Sequence, residues 1–138
     1  MTPAIQQRVR FNVSPGRLFN LYLDSRQHSV ATRAKAVVSK RVGGKFSAFD
    51  GTISGRFLAI VPNRMIVQLW RSKHWKETDL DSVLVLTFSQ TRRGAQIDLV
   101  HANVPAHDHD GVTRGWEKYY WKPWRVYLGR GVIKAGGR

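Results

Sequence analysis

Through the middle of the chain, apolar and polar positions alternate with a period of two. Leu84, Leu86 and Phe88 interleave with Val83, Val85 and Thr87, and Ile97 and Leu99 with Gln96 and Asp98. Successive side chains of a strand point to opposite faces, so these stretches predict antiparallel strands with one buried face. The same reading places strands near residues 36–42, 45–49, 52–60, 65–70, 82–89 and 95–101, with Arg92-Arg93-Gly94 as the turn between the last two. Gly43-Gly44 and Asp50-Gly51 bracket a hairpin that feeds a longer strand. Upstream, Val9-Arg10-Phe11-Asn12-Val13 closes a first strand.

Elsewhere the period changes to that of a helix. Ser14-Pro15 supplies an N-cap and a proline at the first helical position, and the helix runs to about Leu23 with Leu18, Leu21 and Tyr22 inward. Asp24-Ser25-Arg26 opens a second short helix. A long helix follows the last strand, capped by Asp108 or Asp110. On it Val112, Trp116, Tyr119 or Tyr120, Pro123 and Tyr127 recur at spacings of three and four. Pro123 is expected to kink or end the helix, and Gly129 and Gly131 to punctuate it. The pattern predicts one α+β domain over residues 1–138, with its core over about 5–128 and a flexible tail over 129–138.

Composition narrows the picture. At 138 residues the chain is one domain by size. It contains no cysteine, which removes disulfides and thiolate metal sites. No apolar run approaches the roughly 18 residues a membrane helix needs, and Met1-Thr2-Pro3-Ala4-Ile5 lacks a hydrophobic signal core, so a cytoplasmic protein is expected. The net charge of +14 suits a polyanion. Yet the cations are spread along the chain without a block of five, and no nucleic-acid signature interleaves them. No specific nucleic-acid partner is expected.

Candidate chemistry is sparse. His107-Asp108-His109-Asp110 has metal-ligand residue types, but alternate residues at a helix start diverge, and the segment reads as a polar loop. His101 shares a strand face with Ile97 and Leu99, where it either orients a ligand carbonyl or sits in the core bonded to a neighbour. His28 and His74 are placed in or beside loops. The glycines do not form a nucleotide-binding loop. No catalytic residue, metal or cofactor is assigned. The aromatic residues fill a core or line a pocket. Phe57 and Phe88 are given to the core, and Trp70, Trp116 and Tyr120 stand where sheet and helix should meet. Trp75, Trp121 and Trp124 fall off the helical stripe or beside it, which predicts exposed aromatic surface for a partner.

Several segments together resemble a known family: Gly43-Gly44-Lys45-Phe46, Phe49-Asp50-Gly51-Thr52-Ile53-Ser54-Gly55, residues 61–71, His101-Ala102-Asn103-Val104-Pro105, and Gly115-Trp116-Glu117-Lys118-Tyr119-Tyr120. In that order they are similar to the C-terminal domain of the activators of the ninety-kilodalton heat-shock protein's ATPase, within the START-like (SRPBCC) superfamily. The resemblance implies the helix-grip fold, a curved antiparallel sheet wrapped around a long C-terminal helix, with a space between them that often holds a ligand. Ser29-Val30-Ala31-Thr32 lacks the aromatic residue common after the second helix, and Lys76 replaces the usual proline after Trp75. The separate N-terminal domain of eukaryotic members has no counterpart in these residues. On this basis the expected function is a non-catalytic binding module. A small apolar or amphipathic ligand would lie between sheet and helix, bordered by Trp70, His101, Trp116 and Tyr120. The alternative is a co-chaperone-type interaction domain with a chaperone partner; a cyclase-like enzyme is a third reading.

Overall fold

A computed structural model describes the fold over residues 2–135 and side-chain surroundings over residues 2–129. Seven strands form one antiparallel sheet: β1 (Ile5–Phe11), β2 (Val37–Val38), β3 (Lys45–Ala48), β4 (Ile53–Val61), β5 (Met65–Ser72), β6 (Ser82–Thr91) and β7 (Gly94–Ala102). Their order is β1-β7-β6-β5-β4-β3-β2. Helices α1 (Pro15–Leu23) and α2 (Ser25–Thr32) carry the chain from one sheet edge to the other. After β7 come a 3₁₀ turn (Ala106–Asp108), α3 (His109–Gly115), a π turn (Trp116–Trp121) and α4 (Lys122–Ala135). This is the α+β helix-grip fold, with the sheet's apolar face and the C-terminal helix in one core that holds Leu84, Leu86, Ile97, Leu99, Val112, Trp116 and Tyr120.

Local chemistry sets the ends of the elements. The Ser14 side chain accepts from the Arg17 amide (3.1 Å), and Asp24 caps α2 by accepting from Gln27 N–H (2.8 Å). At Gly55 a Cβ would lie 1.8 Å from the Leu69 carbonyl and 2.7 Å from the Phe46 ring, so only glycine lets Phe46 lie across β4. The first strand ends at Phe11, short of Val13, and β2 keeps only two of the residues expected over 36–42. There the backbone turns away: Gly44 N–H bonds to the Arg41 carbonyl (2.8 Å), and Gly43 adopts φ +80°.

The C-terminal helix departs most from expectation. Pro123 does not end it; the helix runs on through Gly129 and Gly131 to Ala135, and residues 136–138 of the expected tail lie outside the described residues. The π turn just upstream accommodates the proline, because a wider turn relieves the missing N–H and the ring clash of an α-helical proline. A π turn also inserts one residue into the helical phase. The stripe therefore holds at Val112, Trp116 and Tyr120, then moves one residue on, from Pro123 and Tyr127 to Trp124 and Leu128. Trp121 and Trp124, expected at the margin, are buried, and Trp75 is buried with them. Tyr119 is 49% exposed.

The expected caps are otherwise engaged. Neither Asp108 nor Asp110 caps α3 with its side chain. Asp108 Oδ2 instead accepts the Trp75 indole N–H (2.8 Å), which ties the β5–β6 loop to the helix start.

Candidate functional site

All five tryptophans form one continuous row. Ring centroids step from Trp75 to Trp70 (5.6 Å), to Trp116 (6.2 Å), to Trp121 (5.5 Å) and to Trp124 (5.6 Å). The row begins at the β5–β6 loop and ends under α1, where Trp124 packs against Phe11 and Tyr22. Aromatic pairs at such spacings add stabilisation beyond their buried area.

Two hydrogen-bond chains hang from this helix one turn apart. In the first, the Trp116 indole donates to His101 Nδ1 (3.1 Å), His101 Nε2–H donates to Ser82 Oγ (2.8 Å), and the Ser82 hydroxyl donates to the Trp70 carbonyl (2.6 Å). An indole can only donate, so Nδ1 is bare and the proton sits on Nε2. Burial, reinforced by the charge of His109, depresses the His101 pKa to about 3. In the second chain, the Tyr120 hydroxyl donates to His28 Nε2 (3.0 Å), and His28 Nδ1–H donates to the Tyr22 carbonyl (2.8 Å). The Tyr22 hydroxyl donates to Gln68 Oε1 (2.7 Å). Burial lowers the His28 pKa against the opposing bond to the Tyr22 carbonyl. Burial likewise raises Tyr22, against its bond to Gln68, and raises Tyr120 with a further push from Tyr22. Both histidines are therefore neutral and fully bonded.

His28 corrects the sequence reading, which set it beside a loop. It lies within α2, one helical turn before the buried Ala31, and that spacing was the available signal. Gln7 is a second functional polar residue the sequence did not single out. It faces inward on β1, donates to the Thr113 carbonyl (2.9 Å) and accepts from the Trp121 indole (2.8 Å), spanning the π turn.

A cavity of about 480 Å³ remains between the β3–β4 turn, the neighbouring ends of β4 and β5, and the first half of the C-terminal helix. Trp70, Trp116 and Tyr120 line it with Phe49 and Ile53; Thr52, Ser72, His74 and Asp108 contribute polar groups. The helix presents Gly111 and Gly115 here. His101 does not border it: the residue is fully buried behind Trp70 and Trp116, bonded within its chain. Sequence placed it on the correct strand face but could not show that the indoles screen it. Phe49 holds φ +53°, rare for a bulky residue, and is braced edge-on by Tyr119 (5.7 Å) and Tyr120 (5.3 Å). Trp70 Nε1, Trp124 Nε1 and Gln68 Nε2 are buried without a hydrogen-bond partner among the described residues.

The His107–Asp110 segment is held by protein partners. His107 Nε2 bonds to Asp79 (2.8 Å), and that bond is the main cause holding the Asp79 carboxyl below its usual range. His109 Nε2–H donates to the Pro3 carbonyl (2.9 Å). Among the described residues no group of three His, Asp or Glu is arranged to hold a metal ion, and no helix is long and apolar enough to cross a membrane.

Comparison with known proteins matches this architecture. The human activator of 90 kDa heat shock protein ATPase homolog 1 is 29% identical over 131 residues, which is 95% of this chain and 38% of that protein. The chain thus spans well under half the length of this curated relative. The crystal structure of an HSP90 activator from Plasmodium falciparum superposes with a TM-score of 0.84 at 29% identity, covering 91% of this chain and 96% of that one. A Mesorhizobium loti protein shares the fold at 20% identity, with a TM-score of 0.79 over 93% of this chain and 98% of that one. Residues 12–129 match the model of the family described as Activator of Hsp90 ATPase homolog 1-like protein, and the chain belongs to that family.

Proposed function

We propose that this domain is a co-chaperone-type interaction module, which docks on the ninety-kilodalton heat-shock protein in the cytoplasm and raises its ATPase rate. The observation that carries the reading is the match to the Plasmodium activator along nearly the full extent of both chains. The aromatic residues that take up part of the space between sheet and helix support it, since they leave less of that space for a ligand. In this reading the chain supplies contacts and no catalysis. The test is steady-state ATP hydrolysis by the source organism's chaperone with and without the purified chain, with an inhibitor of the chaperone as background. A several-fold rise, with a complex visible by sedimentation, is expected. Unchanged hydrolysis and no complex would overturn it.

One observation favours a second reading, a small apolar ligand in the 480 Å³ cavity. Phe49, Trp70, Trp116 and Tyr120 give the cavity an aromatic lining suited to such a ligand, with Thr52 and Ser72 as polar groups to orient it. Fatty acids, sterols, flavonoids and aromatic polyketides would be screened by thermal shift on the wild type and on Gly115→Leu, which narrows the cavity. A rise confined to the wild type supports the reading. No rise, or an equal rise in both proteins, counts against it.

A further inference from the structure

A second groove, of about 340 Å³, runs between α2 and the C-terminal helix and shares no residue with the cavity. Its floor is apolar: Val30, Pro123, Val126 and Tyr127 line it, and Val30 and Val126 are 52% and 49% exposed. Its rim is cationic. Arg33, Lys118 and Lys122 border it, all three exposed, and no acidic residue lines it. Two further cations extend the pattern. Arg26 lies one helical turn before Val30, and the Arg17 guanidinium sits 5.6 Å from the Tyr127 ring centre. The nearby acids are already engaged: Glu117 pairs with Arg125 (3.4 Å), and Asp24 caps α2. None of the three rim cations forms an ion pair among the described residues.

An aliphatic floor between unpaired positive charges selects its occupant by both features. We infer that this groove binds an acidic, amphipathic helical segment of a protein partner, its apolar side chains against Val30 and Val126 and its carboxylates toward Arg33, Lys118 and Lys122. α2 is eight residues long, about 12 Å, so the floor accommodates about two turns of a helix. A second copy of the chain does not fit the chemistry, because each copy carries +14. Single-stranded nucleic acid fits less well. Its bases need open aromatic faces for stacking, whereas the floor is largely aliphatic and Arg17 lies over the Tyr127 ring. The inference stands apart from both readings above, and its probe contains neither the chaperone nor a cavity ligand.

The test is an NMR titration of the isotope-labelled chain with a peptide of about fourteen residues, roughly four helical turns, carrying Leu at helical spacing and Glu elsewhere. The comparison ligands are a scrambled peptide of the same composition and a single-stranded oligonucleotide. Amide shifts confined to residues 26–33 and 118–127, seen with the patterned peptide, are the expected result. Lys118→Glu with Lys122→Glu should weaken binding by about tenfold or more, and a peptide with two Glu changed to Lys should recover part of the loss. Val126→Asp should weaken it while leaving the spectrum outside the groove unchanged. Equal binding by the scrambled peptide or the oligonucleotide, with shifts scattered over the basic surface, would reduce the groove to general polyanion attraction and overturn the inference. So would the absence of groove shifts.

Discussion

The two halves of the interface between sheet and C-terminal helix are filled to different degrees. Downstream of Tyr120 the helix buries Trp121, Trp124 and Leu128, with Trp121 and Trp124 against Phe11 and Trp124 against Tyr22. Upstream, Gly111 and Gly115 line the cavity together with Val112 and Trp116, and the helix is less completely covered there. The π turn lies between the halves, and Gln7 bonds the Thr113 carbonyl in α3 before it and the Trp121 indole at its end. The contrast is one of degree: both halves bury aromatics, but the cavity opens only beside the half that carries Gly111 and Gly115.

The largest expected effect lies in the filled half. Trp124→Ala should cost about 3–5 kcal/mol, because the indole is fully buried among four aromatic rings. Tyr119→Ala, at the cavity rim, should cost under about 1 kcal/mol. Denaturant midpoints for the two variants decide the matter, and similar losses would erase the contrast.

Acid tests both halves together, since each contains one neutral histidine. Their folded-state pKa values lie below the unfolded value, so the unfolded chain binds protons first. Their contribution is complete above about pH 6.5 and is lost as pH falls, at up to ~1.4 kcal/mol per pH unit for each histidine. For His101 the loss continues to about pH 3. Unfolding free energies at pH 7.5 and 4.5 should fall accordingly, and His101→Gln should show a shallower slope. An unchanged slope would mean that His101 is not held neutral.

A smaller effect is expected where the halves join. Tyr120→Phe removes the donor to His28 Nε2 and leaves a buried acceptor unpaired, at a cost of about 1–2 kcal/mol by chemical denaturation. The smallest effect has the opposite sign. A Cβ at residue 115 would meet only the Tyr119 ring, at 3.6 Å, so Gly115→Ala should stabilise the helix by up to about 1 kcal/mol. A loss of melting temperature there would show that the open half needs more than an absent side chain.

The legible parts of this chain follow regular periods. Alternation located β6 and β7, and Ser14 and Asp24 marked the helix starts through local capping chemistry. The stripe was legible up to Tyr120 and failed after it. A single wide turn rotates everything downstream, and nothing in Trp116–Trp121 announces that turn except the proline two residues later. The predicted exposed aromatic surface failed for the same reason at Trp121 and Trp124, and at Trp75 because that ring packs on Trp70 and donates to Asp108. Trp70, Trp116 and Tyr120 come together at the cavity because both elements carrying them kept their expected phase. His101 was separated from it by two indoles whose orientation depends on tertiary packing, and the roles of His28 and Gln7 likewise exist only once distant elements meet.

The unbroken row from Trp75 to Trp124 also has an optical meaning. Indoles separated by 5.5–6.2 Å exchange excitation far faster than they emit, so the five rings respond to light as one coupled absorber. Changing any one indole would therefore alter the near-ultraviolet dichroism of its neighbours along with its own.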